Sequence, residues 1–197
     1  GEGPGFNEDQ QGLPFVGRSG KLLDELLAAV PLARGDVFIT NVVKCRPPDN
    51  RDPLPHEVIA CRPYLERQIE LLDPRVIVTL GRHSLLRFYP KGKISKDHGK
   101  ILEWEGRVLF PLYHPAAGLR NPAIKRDLQA DVLRLSEAIR ESIRLSVSAA
   151  KRPGPHAEQP ARQTAEALKT NMAEAQLSEP LLKNETQEQG ERHLGMF

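Results

Sequence analysis

Two spacings of apolar residues recur along the first part of the chain. Leucines at positions 22, 23, 26 and 27 follow the helical period, which predicts a helix with one buried face over residues 19–30. Three short, continuous apolar runs are typical of buried parallel strands: Val37–Thr40, Val76–Leu80 and Val108–Leu112. Strands and helices alternate, so the pattern predicts an α/β fold with a doubly wound sheet.

Further helices are predicted between and after these strands. One begins near Pro55, and a break is expected at Pro63 because proline inside a helix costs about 3 kcal/mol. Residues 82–89 form a second, short helix, and the basic stretch 91–106 closes in a hairpin. A final amphipathic helix is expected over residues 124–145.

The composition of the chain changes after residue 147. The last fifty residues contain one aromatic side chain and are rich in Ala, Glu, Gln and Lys. Such a sequence buries too little apolar surface to offset the entropy of an ordered chain. We therefore predict one folded domain over residues 1–147 and a disordered polar tail over residues 148–197.

Charge and cysteine content narrow the function classes only slightly. A net charge of +2 is compatible with a nucleic-acid surface and does not demand one. The two cysteines do not form a secreted-type disulfide framework, and no apolar run is long enough to span a membrane, so an intracellular protein is expected. The chain begins with glycine, and we expect it to be a fragment or a processed product.

The stretch of residues 1–17 is a candidate site floor. It holds five glycines, two prolines, three acidic residues and two aromatic residues. Glycine permits close approach of a ligand, and proline stiffens the turns that carry the acids. Loops of this kind in α/β proteins sit at the carboxyl ends of strands. A glycine-rich turn is nevertheless more often only a turn, and no dinucleotide-binding or P-loop motif is present.

Two polar residues follow predicted strands directly. Asn41 can donate and accept, which suits reading a base edge, although asparagine at a strand end is equally common as turn chemistry. His114 precedes Pro115, so its backbone is held extended and its ring projects from the carboxyl end of the strand. We expect both side chains to share a crevice with the opening stretch.

Together these motifs resemble the family 4 uracil-DNA glycosylases, the iron-sulfur branch of that superfamily. The resemblance rests on Gly1–Gly5 with Glu8, Asp9 and Pro14–Gly17, on Thr40–Pro48, and on His114–Pro115 with Leu119 and Arg120. It covers roughly residues 1–140. It implies a three-layer α/β/α fold around a short central parallel sheet, and hydrolysis of the bond between uracil and deoxyribose in DNA.

The resemblance implies a role for each matching residue in the pocket. Phe15 stacks on the flipped uracil, and Asn41 reads the N3–H and O4 edge of the base. Gly3 contributes backbone to the same pocket. His114 donates a hydrogen bond to uracil O2 and stabilises the departing anion. Glu2 orients the attacking water and faces the cationic sugar.

Four other residues have implied positions around this pocket. Glu8 lies near uracil C5, where it helps to exclude the methyl group of thymine. Leu119 is the candidate wedge that enters the vacated base stack, and Arg120 and Lys44 are candidate phosphate contacts. The implied partner is DNA containing uracil, bound by a monomer in a prokaryotic-type cytoplasm.

The resemblance also implies a 4Fe-4S cluster held by four cysteine thiolates. The sequence contains only Cys45 and Cys61, so this chain is not expected to build the cluster alone. We expect the full-length protein to bind the cluster and to supply the two other cysteines upstream of residue 1. The first central strand of the sheet is likewise expected to be missing from this chain.

Three other functions are considered. A relative that becomes covalently attached to DNA would carry an Arg- and His-rich insertion after the opening motif, which this sequence lacks. The second alternative is not an enzyme: it is a relative that binds DNA without turnover, or a polymerase-associated module. An unrelated α/β hydrolase is disfavoured because no GxSxG motif is present.

Overall fold

The structure is a computed structural model that describes residues 1–150, and a three-stranded sheet forms the centre of this part of the chain. Its strands are β1 (Val76–Leu80), β2 (Leu102–Trp104) and β3 (Arg107–Leu112). Strand β3 lies in the middle, parallel to β1 and antiparallel to β2. The predicted strands at 76–80 and 108–112 are confirmed, and so is the hairpin that ends the basic stretch.

Helices surround the sheet. Their bounds are α1 (Phe6–Gln11), α2 (Arg18–Ala28), α3 (Pro55–Leu72), α4 (Arg82–Phe88), α5 (Ile94–Asp97), α6 (Pro115–Arg120), α7 (Pro122–Leu133) and α8 (Leu135–Ala150). Two 3-10 turns cover Arg34–Asp36 and Pro48–Asn50. The single helix predicted over 124–145 is thus two helices, α7 and α8, which meet at Arg134.

The middle strand explains the layered architecture, because its side chains alternate between two apolar clusters. Val108, Phe110 and Leu112 pack in one cluster with residues of α2, α7 and α8. Leu109 points to the other face, where it packs in a second cluster with residues of α3 and α4. Helices therefore cover both faces of the sheet, and the predicted three-layer α/β/α class is confirmed.

The strand predicted over residues 37–40 is wrong. This segment is extended at Val37, with φ −128° and ψ 144°, but it has no ladder partner in the sheet. A groove of about 450 Å³ runs between it and β1, lined mainly by apolar side chains. Strand β1 is an edge strand along this groove. The further central strand that the resemblance implies stays a prediction.

The break predicted at Pro63 is also wrong. Helix α3 runs without interruption from Pro55 to Leu72 with Pro63 inside it. Pro63 lies on an exposed face, where water can satisfy the carbonyl group that the missing N–H leaves unpaired. The sequence pattern does not reveal this exposure, since it depends on how the helix packs in the fold.

Two predictions concern the chain beyond the core. The disordered tail predicted over residues 148–197 lies outside the described residues, apart from the end of α8. Among the described residues, no helix has the length and apolar character needed to cross a membrane.

Candidate active site

The opening segment lies beside residues 40–43 in a parallel arrangement. Gly1 N donates to Thr40 O at 2.8 Å, and Val42 N donates to Gly1 O at 3.0 Å. A β-carbon added at Gly1 would lie 2.5 Å from Asn41 Oδ1 and 2.7 Å from Phe15 Cζ. The amide of Asn41 and the ring of Phe15 therefore face the same point, and a side chain at position 1 would have to displace one of them.

Phe15 is buried and stacks beside His114, with ring centroids 5.5 Å apart and an interplanar angle of 26°. Its backbone has a positive φ of 54°, which is uncommon for a bulky residue. Helix α2 packs directly against this turn, because a β-carbon at Gly20 would lie 1.7 Å from Phe15 O. The opening stretch thus forms a rigid floor that fixes the Phe15 ring.

His114 follows β3 and begins α6. Its φ of −70° and ψ of 134° confirm the extended backbone predicted before Pro115. Ala116 N donates to His114 Nδ1 at 3.1 Å, so in the neutral ring the proton resides on Nε2. Burial lowers the pKa of His114 to about 4, and Arg120 acts in the same direction. A neutral imidazole with an Nε2–H donor therefore faces the site at physiological pH.

Asn41 is buried, and its Oδ1 has no hydrogen-bond partner among the described residues. Most buried polar atoms in proteins are paired, because an unpaired one costs about 1–3 kcal/mol. An acceptor left open beside an aromatic ring is a feature of a binding site. It is suited to receive an N–H donor from a planar ligand.

Glu2 follows Gly1 and is half-buried at the edge of this cluster. Burial raises the pKa of its carboxyl group, while the neighbouring His83 opposes that shift. Its Oε2 lies 3.6 Å from His83 Nε2. The structure thus places Asn41 and Phe15 at Gly1 and His114 beside Phe15, and Glu2 is the next residue along the chain. Their roles toward a substrate stay predictions. The groove beside β1 reaches the cluster at Gly1 and Asn41.

Glu8 has a specific structural position within the opening stretch. Its Oε1 accepts from the backbone N–H groups of Val16 and Gly17, both at 3.0 Å, and its Oε2 accepts from Gly5 N at 3.2 Å. Burial raises the pKa of this carboxyl group, but the backbone hydrogen bonds outweigh it and leave the pKa lowered. Glu8 therefore ties together the turn that carries Phe15. Its role against thymine stays a prediction.

Glu8→Ala is expected to reduce the free energy of unfolding by about 1–3 kcal/mol, because three backbone donors lose their acceptor. Since the pKa of Glu8 is lowered in the folded protein, its stabilising effect is present at neutral pH and fades as the pH falls through that pKa. Urea unfolding at neutral and acidic pH measures both effects. The neighbouring Asp9→Ala is the matched control, and an equal loss in that variant would contradict the assignment.

Lys44 occupies a different position from the predicted phosphate contact. Its Nζ donates to Thr40 Oγ1 at 2.8 Å, to Asn41 O at 2.7 Å and to Gln68 Oε1 at 2.7 Å. These bonds use all three ammonium protons and direct the side chain inward. Lys44 therefore braces the backbone that presents Asn41, and a phosphate contact has no support from this geometry.

Leu119 and Arg120 are the last two residues of α6, five and six residues after His114. The side chain of Leu119 is exposed, and Arg120 donates from Nε to Ala116 O at 3.3 Å. Gly3 packs closely on the neighbouring segment, because a β-carbon there would lie 2.7 Å from Val43 Cγ2. The wedge, phosphate and substrate roles of these three residues stay predictions.

The two cysteines are free thiols in one region of the protein. Lys44 N donates to Cys61 Sγ at 3.3 Å, and Lys44 directly precedes the exposed Cys45. A 4Fe-4S cluster takes four thiolate ligands, and the sequence supplies two. The residues present therefore fit half of the ligand set and cannot complete it by themselves.

Sequence reasoning missed several residues beside the site. Gly81, with φ 89°, lies so close to His114 that a β-carbon there would be 2.9 Å from His114 Cβ. Arg82 and His83 follow it at the start of α4, and Asp52 approaches them from the loop before α3. Gly81, Arg82 and His83 directly follow β1, and this position could have identified them from the sequence, because strand ends carry ligand-binding residues in α/β folds. Asp52 has no such signal.

Comparisons with known proteins agree with this geometry. Residues 1–135 match the family model of the Uracil DNA glycosylase superfamily. The chain is 50% identical over 149 residues to the type-4 uracil-DNA glycosylase of Saccharolobus solfataricus, covering 71% of this chain and 69% of that protein. It is 48% identical over 147 residues to the enzyme of the same name from Sulfurisphaera tokodaii, and the match covers 70% of this chain and 67% of that protein.

A shorter match links the chain to a larger protein. It is 38% identical over 109 residues to a DNA polymerase of Bacillus phage SP01, covering 55% of this chain and 12% of the polymerase. The extent of the family match and the identity to the two type-4 enzymes decide the classification. The chain belongs to the type-4 branch of the uracil DNA glycosylase superfamily.

Proposed function

We propose that this protein hydrolyses the N-glycosidic bond of deoxyuridine in DNA and releases free uracil, the first step of base-excision repair. The unpaired Oδ1 of Asn41 carries the proposal, because it is a buried acceptor for uracil N3–H beside the ring of Phe15. The amide Nδ2 then donates to uracil O4. Cytosine presents the opposite donor and acceptor pattern at these two atoms, so it leaves buried groups unpaired.

The bond breaks with its electron pair moving to uracil, which leaves a cationic sugar. The Nε2–H of His114 donates to uracil O2 and stabilises the negative charge there. Glu2 accepts a proton from the water that attacks the sugar carbon, and its negative charge faces the cation. Neutral His114 and ionised Glu2 are the states that these two roles require.

The same proposal includes contacts to DNA. An enzyme that acts on a base must rotate it out of the stack. We propose that the side chain of Leu119, which is exposed, enters the vacated stack and that Arg120 contacts a phosphate. We also propose that the protein acts inside the cell, where its DNA substrate is found, and that it acts as a monomer.

A defined oligonucleotide with one uracil tests this function. Free uracil and an alkali-labile site are expected, whereas matched oligonucleotides with thymine or cytosine stay intact. A protein band shifted on a denaturing gel would instead indicate covalent attachment to DNA. Binding of the uracil strand without release of the base would indicate a module that binds without turnover.

We also propose that Cys45 and Cys61 are two of the four ligands of a 4Fe-4S cluster in the full-length protein. Such a cluster would hold the segments around both cysteines together. The 197-residue chain is expected to contain far less iron than one cluster per molecule, because it supplies two thiolates. Iron analysis and visible absorbance measure this, and stoichiometric iron in this chain would overturn the prediction.

A further inference from the structure

Glu2 lies in a small polar cluster whose other residues have no role in the proposed reaction. These residues are Asp52, Arg82 and His83. His83 Nε2 is 3.6 Å from Glu2 Oε2 and 3.3 Å from Asp52 Oδ2. Arg82 approaches both partners, with Nε donating to His83 Nε2 at 3.1 Å and Nη2 to Asp52 Oδ2 at 2.5 Å. Three of these four contacts therefore meet at a single atom, the Nε2 of His83.

Three separate segments form this cluster, and two of them have rigid anchors. His83 and Arg82 lie in the first turn of α4, directly beyond the buried strand β1. Asp52 follows Arg51, which binds Glu57 of α3 through two hydrogen bonds of 2.8 and 2.7 Å. Only Glu2 belongs to the opening segment, so fixed neighbours limit the positions that its carboxylate can adopt.

The charges of the cluster act on Glu2 in opposite directions. Burial raises the pKa of Glu2, and the negative charge of Asp52 acts in the same direction. His83 and Arg82 oppose this shift and favour the ionised carboxylate. The side chain of Glu2 adjoins that of His83 in this cluster.

We propose that His83 is a positioning residue for the carboxylate of Glu2. Its Nε2 accepts from Arg82 Nε and keeps this guanidinium, which Asp52 also binds, in the cluster beside Glu2, so that the carboxylate faces the attacking water. The inference rests on the proposed role of Glu2. A bound cation is the competing explanation, because ligand atoms of Glu2, Asp52 and His83 all lie within 4.8 Å of one another. The guanidinium of Arg82 already contacts two of these ligands, and its positive charge disfavours a cation there.

The test compares the wild type, His83→Phe, Glu2→Gln and the double variant on uracil-containing DNA in single-turnover reactions. His83→Phe is expected to lower the cleavage rate constant about tenfold, because a displaced catalytic group loses its attack geometry. The dissociation constant for DNA is expected to stay within about twofold of the wild type, since His83 acts through Glu2. In the Glu2→Gln background, the same substitution is expected to have no further effect.

A second measurement does not depend on activity. Titration of the Glu2 carboxyl group by NMR is expected to show a higher pKa in His83→Phe than in the wild type, because a group that favours the ionised form is lost. The exposed His56→Phe, in the first turn of α3, is the matched control and is expected to leave both the rate and the titration unchanged.

Three results would overturn the proposal. Independent, additive losses in the double variant would mean that His83 does not act through Glu2. An equal weakening of DNA binding would make His83 a DNA contact. Loss of activity on chelation, restored by Zn²⁺ in the wild type alone, would make the cluster a cation site. Failure of the wild type to release uracil would instead refute the proposed function, and the NMR titration would still decide the coupling of His83 to Glu2.

Discussion

His114→Ala is expected to slow uracil release by about 10²- to 10³-fold, because a preorganised donor at a developing anion contributes about 2.7–4 kcal/mol. The neutral ring, with Nδ1 occupied by Ala116 N, presents Nε2–H to the pocket without any rearrangement. The single-turnover rate constant on uracil-containing DNA is the quantity to measure. Substrate binding is expected to change little, since the bond to O2 strengthens only as the charge develops.

Stability separates this catalytic loss from a folding defect. His114 caps α6 through its bond from Ala116 N, and the loss of a helix cap costs about 1 kcal/mol, too little to explain the expected rate loss. His98→Ala is the matched control, because His98 also packs beside an aromatic ring, that of Tyr113, and pairs with Asp131. That variant is expected to lose stability and to keep its cleavage rate. A His114→Ala protein that is folded and loses less than about fivefold in rate would contradict the donor role.

The pH dependence assigns the two titrating groups. The pKa of His114 is lowered to about 4, so the ring stays neutral through the range in which an ordinary histidine titrates. The pKa of Glu2 is raised, and its carboxylate must be ionised to accept a proton from water. The acidic limb of the rate profile is therefore expected to belong to Glu2. It should disappear in Glu2→Gln and persist in His114→Gln.

Local chemistry explains which parts of this protein the sequence reveals. Strands β1 and β3 are continuous apolar runs, and the extended backbone at His114 follows from Pro115. Asn41 lies at the opening stretch, facing the same point as Phe15, even though the segment before it does not join the sheet. The reason is that residues 37–40 still line the groove beside β1, and that Val37 and Ile39 pack against the first apolar cluster without pairing in the sheet.

Contacts between distant segments explain what the sequence hides. The sequence suggests that Lys44 is a surface cation. In the fold, its ammonium group donates to Gln68, which lies twenty-four residues away in the sequence. Glu8 is one of three acids in the opening stretch, and only the folded turn shows that it accepts from Val16 and Gly17. No local pattern connects His83 to Glu2, because their contact exists only after β1 and the opening segment have come together.

Asn41→Leu is expected to lower kcat/KM for uracil release by about 10²- to 10⁴-fold, because two groups on the base edge lose their partners and each costs about 1–3 kcal/mol. Discrimination between uracil and cytosine should fall as well, since the side chain that distinguishes their donor and acceptor patterns is gone. Kinetics on matched oligonucleotides with uracil and cytosine measure both losses.

The same substitution is expected to leave the protein as stable as the wild type or more stable. In the free protein, Asn41 Oδ1 is a buried acceptor without a partner, and leucine removes that cost at similar volume. Asn121→Ala is the opposite control: its Oδ1 accepts from Ala123 N at 2.9 Å as the cap of α7, so this variant should lose about 1 kcal/mol and keep its activity. Thermal unfolding and kcat/KM, measured on both variants, should show that Asn41→Leu loses activity without losing stability and that Asn121→Ala loses stability without losing activity. A destabilised Asn41→Leu protein that still discriminates against cytosine would mean that the amide supports the fold instead of reading the base.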